Sequence, residues 1–465
     1  MLASGADFVV TWFAASRLGA VQVPVNTAYR GMLLEHVVAT SGARVAVVGD
    51  EHRAHFDLDR APYDALRHLV LQEGSGTTDG LGGRVLPLAA LERHGAVPLA
   101  DVHPTDPAAI LFSSGTTGPS KGILLSHHYF WFHADRSARR GEVRPDERYY
   151  TCLPLFHANA QVLSVTAALV TGTTVVLDAR FTASGFWDRM RQSGATRFNY
   201  IGGMIPILMK QPVSDQDREH AVRHGIGAAA PADQLEAFER RFGVTLVENY
   251  GQTENCVALA NALDDRRVGS VGKPICGFDV DVVDDDDLPV GPDVVGELVF
   301  RPQSPHVMMS GYHGMPDAMV GATRNLWFHT GDYVRRDVDG FYYFVDRKKD
   351  AIRRRGENIS AYEVELVVDS HPGVLESAAI AVPSEVGEDE VMVVLVPRPG
   401  AQVDPLDLVR YCEDRMPYFA VPRFVDVRAE LPKTPTHRVE KYRLREDGVT
   451  PTTWDRETSG HVLRR

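Results

Sequence analysis

Apolar positions along this chain fall into two spacings, and the switching between them divides the sequence. Short β-rich runs at 43–48, 69–71 and 173–177 alternate with helical patterns such as 8–18 and 186–191. That alternation continues to about residue 240 and predicts parallel sheets wrapped by helices. After Tyr250 the pattern becomes strand, turn, strand, with runs at 278–283, 296–301 and 340–345 that predict a small β-barrel. From about Lys349 a helical run at 363–368 and strands at 378–382 and 391–396 read as a compact α+β unit. The expected fold is therefore α/β. A large N-terminal domain, 1–348, carries the parallel sheets and, over about 250–345, the barrel; a smaller C-terminal domain, 349–465, follows a charged boundary at 347–350. The Gly/Ser/Thr-rich stretch 73–84 has no periodicity and reads as a surface loop. Four aspartates at 284–287 lack the spacing of a calcium loop and read as a solvated hairpin turn.

Composition narrows the picture. A chain of 465 residues exceeds one hydrophobic core. Its formal net charge of −13 argues against a general nucleic-acid surface, although Arg353, Arg354 and Arg355 form a local basic cluster. Four scattered cysteines, Cys152, Cys256, Cys276 and Cys412, show neither disulfide-framework nor zinc spacing, which suits a reducing cytoplasm. No apolar run approaches a membrane span, and no basic segment followed by an apolar one opens the chain.

The candidate chemistry begins at 113–122, Ser-Ser-Gly-Thr-Thr-Gly-Pro-Ser-Lys-Gly, between the apolar runs 108–112 and 123–125. Glycines let backbone N–H groups turn toward an anion, hydroxyls add donors, and Lys121 adds a positive charge. Ser120 and Gly122 stand where the helix-capping nucleotide loop needs glycine and a hydroxyl, so this is a different phosphate loop, and a strand is expected after it. Three further blocks follow in order: Tyr250-Gly251-Gln252-Thr253-Glu254, His329-Thr330-Gly331-Asp332, and 346–350 with 355–359. Taken singly, Tyr250 is ordinary core, Asp332 a turn residue and Glu254 a surface charge. Their order and spacing resemble the adenylate-forming superfamily of acyl-CoA synthetases, aryl-CoA ligases, luciferases and peptide-synthetase adenylation domains. Stretches 17–26 and 433–441 extend the resemblance over nearly the whole chain.

The resemblance implies an ATP-dependent, AMP-forming ligase with ATP, Mg²⁺ and CoA as cofactors and a small or medium organic acid as substrate. Ser113, Ser114, Gly115, Thr116, Thr117, Gly118 and Lys121 would wrap the β- and γ-phosphates. Thr253 would donate to the α-phosphate, and Glu254 would hold the metal. Tyr250 would stack on adenine beside Ala229, Ala230 and Pro231, with Asn249, Gly251, Gln252 and Phe344 lining the nucleotide. Asp332 and Arg347 would take the ribose hydroxyls. His157 would gate the acid's approach and, with Asn159, Asn199, Tyr200 and Gly202, line its pocket. Lys349 would be the hinge about which the small domain turns between adenylation and thiol attack.

Two departures stand out. Helix 8–18 lies well inside the first subdomain of the resembling family, so either the start codon is placed late or a trimmed first layer has an edge that a second subunit, a homodimer partner, would cover. At 437–438, His437 and Arg438 replace the family's Gly-Lys pair, so either Arg438 or Lys441 bridges acid and phosphate, or the first half-reaction is retuned for an unusual acid. Two further readings remain beside acyl-CoA synthesis. One is a secondary-metabolism enzyme that activates an unusual oxyacid such as nitrite for transfer to an amine. The other is a non-catalytic nucleotide-binding relative.

Overall fold

The computed structural model describes residues 1–73, 85–91, 95, 97–113, 120–347, 351–384, 387–432 and 439–463. Its chain divides into two compact units. The first comprises Met1–Thr27, Thr40–Phe112 and Gly122–Lys348; the second comprises Ala28–Ala39, Ser113–Lys121 and Lys349–Arg465.

The first unit is built on a seven-stranded sheet with the spatial order Lys273–Pro274, Leu259–Ala260, Thr245–Tyr250, His224–Ala228, Arg197–Ile201, Arg148–Thr151, Thr174–Leu177. The last five are parallel, and the two short ones pair antiparallel at the near edge. The helices form where the sequence stores a cap and an apolar stripe. His127–Arg140 starts at Ser126, whose hydroxyl accepts from the Tyr129 N–H at 3.1 Å, and buries Tyr129, Phe130, Phe132 and His133. Ala232–Phe242 buries Leu235, Phe238 and Phe242 at helical spacing and ends at Gly243, whose φ of +70° closes the last turn without a Cβ clash. Between the helices, Trp187 is stacked on His220 and Phe242, with ring centroids 4.5 Å apart in each pair.

Beneath the parallel strands, Glu147 and Arg197 form a buried ion pair that Arg223 joins. A second, smaller parallel sheet holds Val45–Val48, His68–Leu71 and Val85–Pro87. The expected strand, Lys121–Ser126, does follow the Gly/Ser/Thr-rich segment and pairs with Gly311–Tyr312. The runs expected to make a small barrel form a five-stranded antiparallel sheet containing Phe278–Val283, Gly296–Pro302, Thr323–Arg324, Trp327–Arg336 and Tyr342–Arg347.

The second unit carries a four-stranded sheet, Val374–Pro383, Asp389–Pro397, Phe424–Val427 and Trp454–Asp455, packed by Ala361–Asp369 and Pro405–Glu413. Here one expectation is corrected. Arg353, Arg354 and Arg355 are not a single exposed cluster, because Arg354 is 1% exposed. It pairs with Glu390 at 2.6 Å and donates to the carbonyls of Phe419 (2.8 Å) and Val421 (3.1 Å). A guanidinium with five fixed donors can satisfy several carbonyl ends at once, which alternating polarity in a sequence does not reveal.

Candidate active site

The carboxyl ends of the parallel strands Arg197–Ile201, His224–Ala228 and Thr245–Tyr250 lie side by side, where open α/β sheets bind ligands. The segments leaving them are compressed against one another. A Cβ on Gly202 would sit 1.8 Å from the Ala229 carbonyl oxygen, and one on Gly251 would sit 1.3 Å from the Cys256 carbonyl oxygen. Ala229 itself is in the left-handed region at φ +63°, an uncommon conformation for a residue with a Cβ that marks a site over-determined by its surroundings. Ala229 is exposed, and Ala230 and Pro231 are half-buried.

Behind this surface Glu248, a buried carboxylate, accepts from the Tyr200 hydroxyl and from the Ala230 N–H at 3.2 Å. Burial beside this carboxylate raises the Tyr200 pKa well above its ordinary value. The Tyr200 hydroxyl is thus engaged within the protein interior. Glu248 was not among the expected site residues. Its only signal was a carboxylate directly after the apolar pair Leu246-Val247 in the Thr245–Tyr250 strand.

Tyr250 is buried, its ring stacked on Phe300 with centroids 6.2 Å apart, and its hydroxyl donates to Asp332 Oδ2 at 2.7 Å. Gln252 Nε2 donates to the same oxygen at 2.9 Å and to the Thr330 carbonyl at 3.0 Å. Two of the sequence blocks, 82 residues apart at Tyr250 and Asp332, therefore meet through one carboxylate. Asn249 is buried, paired through its backbone with Ala260. Arg347 is the strand partner of Asp332, while Phe344 on the same strand is exposed.

Thr253 and Glu254 follow in a turn. The Tyr129 hydroxyl donates to the Thr253 carbonyl at 2.7 Å, the Tyr312 hydroxyl to Glu254 Oε1 at 3.1 Å, and the Met309 N–H to the Glu254 carbonyl at 2.8 Å. Both side chains are half-buried. Among the described residues no group of three or more His, Cys, Asp or Glu could cage a metal. A lone carboxylate still fits Mg²⁺, which is commonly held through one or two carboxylates plus substrate phosphates.

His157 is half-buried with its ring against Phe156. Asn159 opens a π-helical stretch, Asn159–Thr166, and its Oδ1 accepts from Asn199 Nδ2 at 2.9 Å; the same nitrogen donates to Ser164 Oγ at 3.0 Å. π-Helical turns recur at functional sites, and no periodicity argument predicted this one.

Ser113 and Lys121, at the two ends of the Gly/Ser/Thr-rich segment, are half-buried, whereas Ser114, Gly115, Thr116, Thr117 and Gly118 lie outside the described residues. Within the second unit, Ser120 N donates to Glu363 Oε1 at 3.0 Å, its hydroxyl bonds the same carboxylate, and His36 Nε2 lies 2.8 Å from its carbonyl. Burial pushes the Glu363 carboxyl pKa up. Lys441 Nζ pairs with Glu365 Oε1 at 2.6 Å. Lys349 and Arg438 lie outside the described residues.

Comparison with known proteins places this geometry. The AMP-binding enzyme family profile matches residues 1–313, and that of the AMP-binding enzyme C-terminal domain matches 363–438. A crotonobetaine/carnitine–CoA ligase of Salmonella paratyphi C is 29% identical over 444 residues, covering 94% of this chain and 86% of its own. The amide bond synthetase McbA from Marinactinospora thermotolerans superposes with a TM-score of 0.82 at 25% identity, over 96% of this chain and 88% of that one. ATP-bound MatB from Rhodopseudomonas palustris gives 0.65 at 26%, over 95% and 86%.

Proposed function

The chain belongs to the AMP-binding enzyme family, and we propose that it activates a small or medium organic acid with ATP, releasing pyrophosphate, and passes the acyl group from AMP to the thiol of CoA. The observation that carries this reading is the meeting of Tyr250, Gln252 and Asp332 at the carboxyl edge of the parallel sheet, with Thr253 and Glu254 on the adjoining turn. Asp332, acceptor-only when ionised, suits vicinal ribose hydroxyls, and the compressed 228–231 segment lets a flat base approach backbone.

Thr253 would donate to the α-phosphate, with Ser113 through Lys121 around the outer phosphates. Glu254 would hold Mg²⁺, which when bound offsets charge on the triphosphate. His157 and the Asn159–Asn199 pair would border the acid, and Arg438 or Lys441 would supply the cation between acid and phosphate.

An amine acceptor is the second reading, favoured by the likeness to an amide bond synthetase. Pyrophosphate release measured over a panel of acids, nitrite included, with and without CoA and amines, tests both. Acid- and Mg²⁺-dependent release followed by CoA-dependent AMP formation is the expected result. AMP formation that requires an amine and ignores CoA would replace the first reading with the second, and no pyrophosphate with any acid would overturn both.

A further inference from the structure

The Trp327–Arg336 strand does not pair evenly with Gly296–Pro302. Glu297 opposes Tyr333 and Val299 opposes His329, so one residue on the first strand, Leu298, faces three on the second: Thr330, Gly331 and Asp332. A bulge of this kind bends a strand and re-aims a side chain. Here it turns Asp332 inward, to 2% exposure, onto Tyr250 and Gln252.

The bulge is pinned at two points. Thr330 Oγ1 donates to the Leu298 carbonyl at 2.7 Å and accepts from the Asp332 N–H at 3.1 Å. The Gly331 N–H, in a residue with φ +72°, donates to Glu297 Oε1 at 3.0 Å. Glu297 is 3% exposed, and its other oxygen faces His329 Nδ1 at 3.2 Å and Arg324 Nη2 at 3.5 Å. Arg324 also reaches His329 Nδ1 at 2.9 Å and Asp287 through Nη2 (2.9 Å) and Nε (3.2 Å).

We infer that Glu297 is a positioning residue for the nucleotide: by holding the Gly331 N–H it fixes the bulge that presents Asp332 to the ribose hydroxyls. The inference rests on the reading of Asp332 as the ribose acceptor. A carboxylate accepting a backbone N–H makes a stronger bond than a neutral acceptor, and without it that N–H loses the bond that holds it in the bulge. The Arg324 guanidinium faces the carboxylate's other oxygen, and His329 Nδ1 either donates to that oxygen or, deprotonated, accepts from Arg324. Glu297 touches no reacting atom and acts through the loop alone.

The test compares ATP with 2′,3′-dideoxy-ATP, using binding affinity and KM for each, in wild type, Asp332→Ala, Glu297→Met and Glu297→Gln. Wild type is expected to favour ATP by about 10-fold or more, the worth of one or two good hydrogen bonds. In Glu297→Met, which keeps side-chain length, that preference should fall at least about threefold, with kcat for bound ATP changed less than KM. Glu297→Gln, which restores an oxygen for Gly331, should recover most of the preference. A merely structural role would weaken both nucleotides alike and leave the ratio untouched, and that result overturns the inference.

If Asp332→Ala leaves the ratio unchanged, the ribose reading itself fails. If Asp332→Ala collapses the ratio while Glu297→Met preserves it, only the inference about Glu297 fails. Should Glu297→Met not fold, Thr330→Val removes the other pin at nearly constant shape and carries the same expectation and the same overturning result.

Discussion

At the scale of single residues, burial decides which titratable groups govern stability. His133 is fully buried among Tyr129, Phe132 and Phe278, with Nε2 2.8 Å from the Val307 carbonyl. Burial lowers its pKa to about 4. An unfolded histidine titrates near 6.5, so between about pH 6.5 and 4 the unfolded chain binds the extra proton. The stability contributed by neutral His133 is complete above pH 6.5 and is lost as pH falls toward 4, by about 3 kcal/mol in total. Urea unfolding at pH 7 and pH 4.5 should therefore show a larger acid loss for wild type than for His133→Gln; equal losses would remove His133 as the cause. Residue-level chemistry was only partly legible beforehand. The Tyr250, Glu254 and Asp332 blocks could be singled out through the family resemblance, but Glu248, Glu297 and Glu363 could not. Each is an acidic residue whose role depends on partners 18 to 243 positions away.

At the scale of elements, the site is made where strands end and the chain turns without space for side chains. Gly251 is the tightest of these points, because its missing Cβ is filled by the Cys256 carbonyl of the same turn. Gly251→Ala should displace the turn that carries Thr253 and Glu254, costing several kcal/mol or, if the turn yields instead, more than about 100-fold in pyrophosphate release. Thermal unfolding and turnover measured on one preparation check this, and a variant normal in both would show that the turn is not constrained as described. The elements themselves were well marked by pattern. Strands at Val45–Val48, His68–Leu71 and Phe278–Val283 and helices at Ala6–Arg17 and Ala361–Asp369 fall where the periodicity put them. The π-helical Asn159–Thr166 and the bulge at 330–332 did not announce themselves, because a changed hydrogen-bond ladder leaves the order of apolar and polar residues intact.

At the scale of the whole molecule, Arg438 and Lys441 are the two cations proposed for adenylation. Lys441 is already committed to Glu365, whose carboxylate also accepts the Ala379 N–H at 2.7 Å, so Lys441 ties helix to helix and strand within the second unit. Arg438→Ala is therefore expected to slow acyl-adenylate formation on the order of 100-fold. Lys441→Ala should chiefly lower the melting temperature, by a few degrees. Thiol transfer from preformed acyl-AMP should survive both changes. Single-turnover rates of each half-reaction decide the matter: adenylation lost only in Lys441→Ala would reverse the assignment, and adenylation unaffected by either would remove this segment from the first step.

The sequence alone determined the α/β class and the run of strands and helices, because these depend on local periodicity and turn chemistry, and its motif blocks carried the family resemblance. The tertiary structure alone decided which carboxylates are buried and what they hold. Glu297 grips Gly331 only because the 296–302 and 327–336 strands pair with a register shift, and Glu248 meets Tyr200 and Ala230 only because three parallel strands lie in the order they do. Arg354 looked like an exposed charge in a basic triplet until the fold surrounded it with Glu390 and two carbonyls. Burial and long-range hydrogen bonding are properties of contacts, and contacts between residues far apart in the chain exist only once the chain has folded.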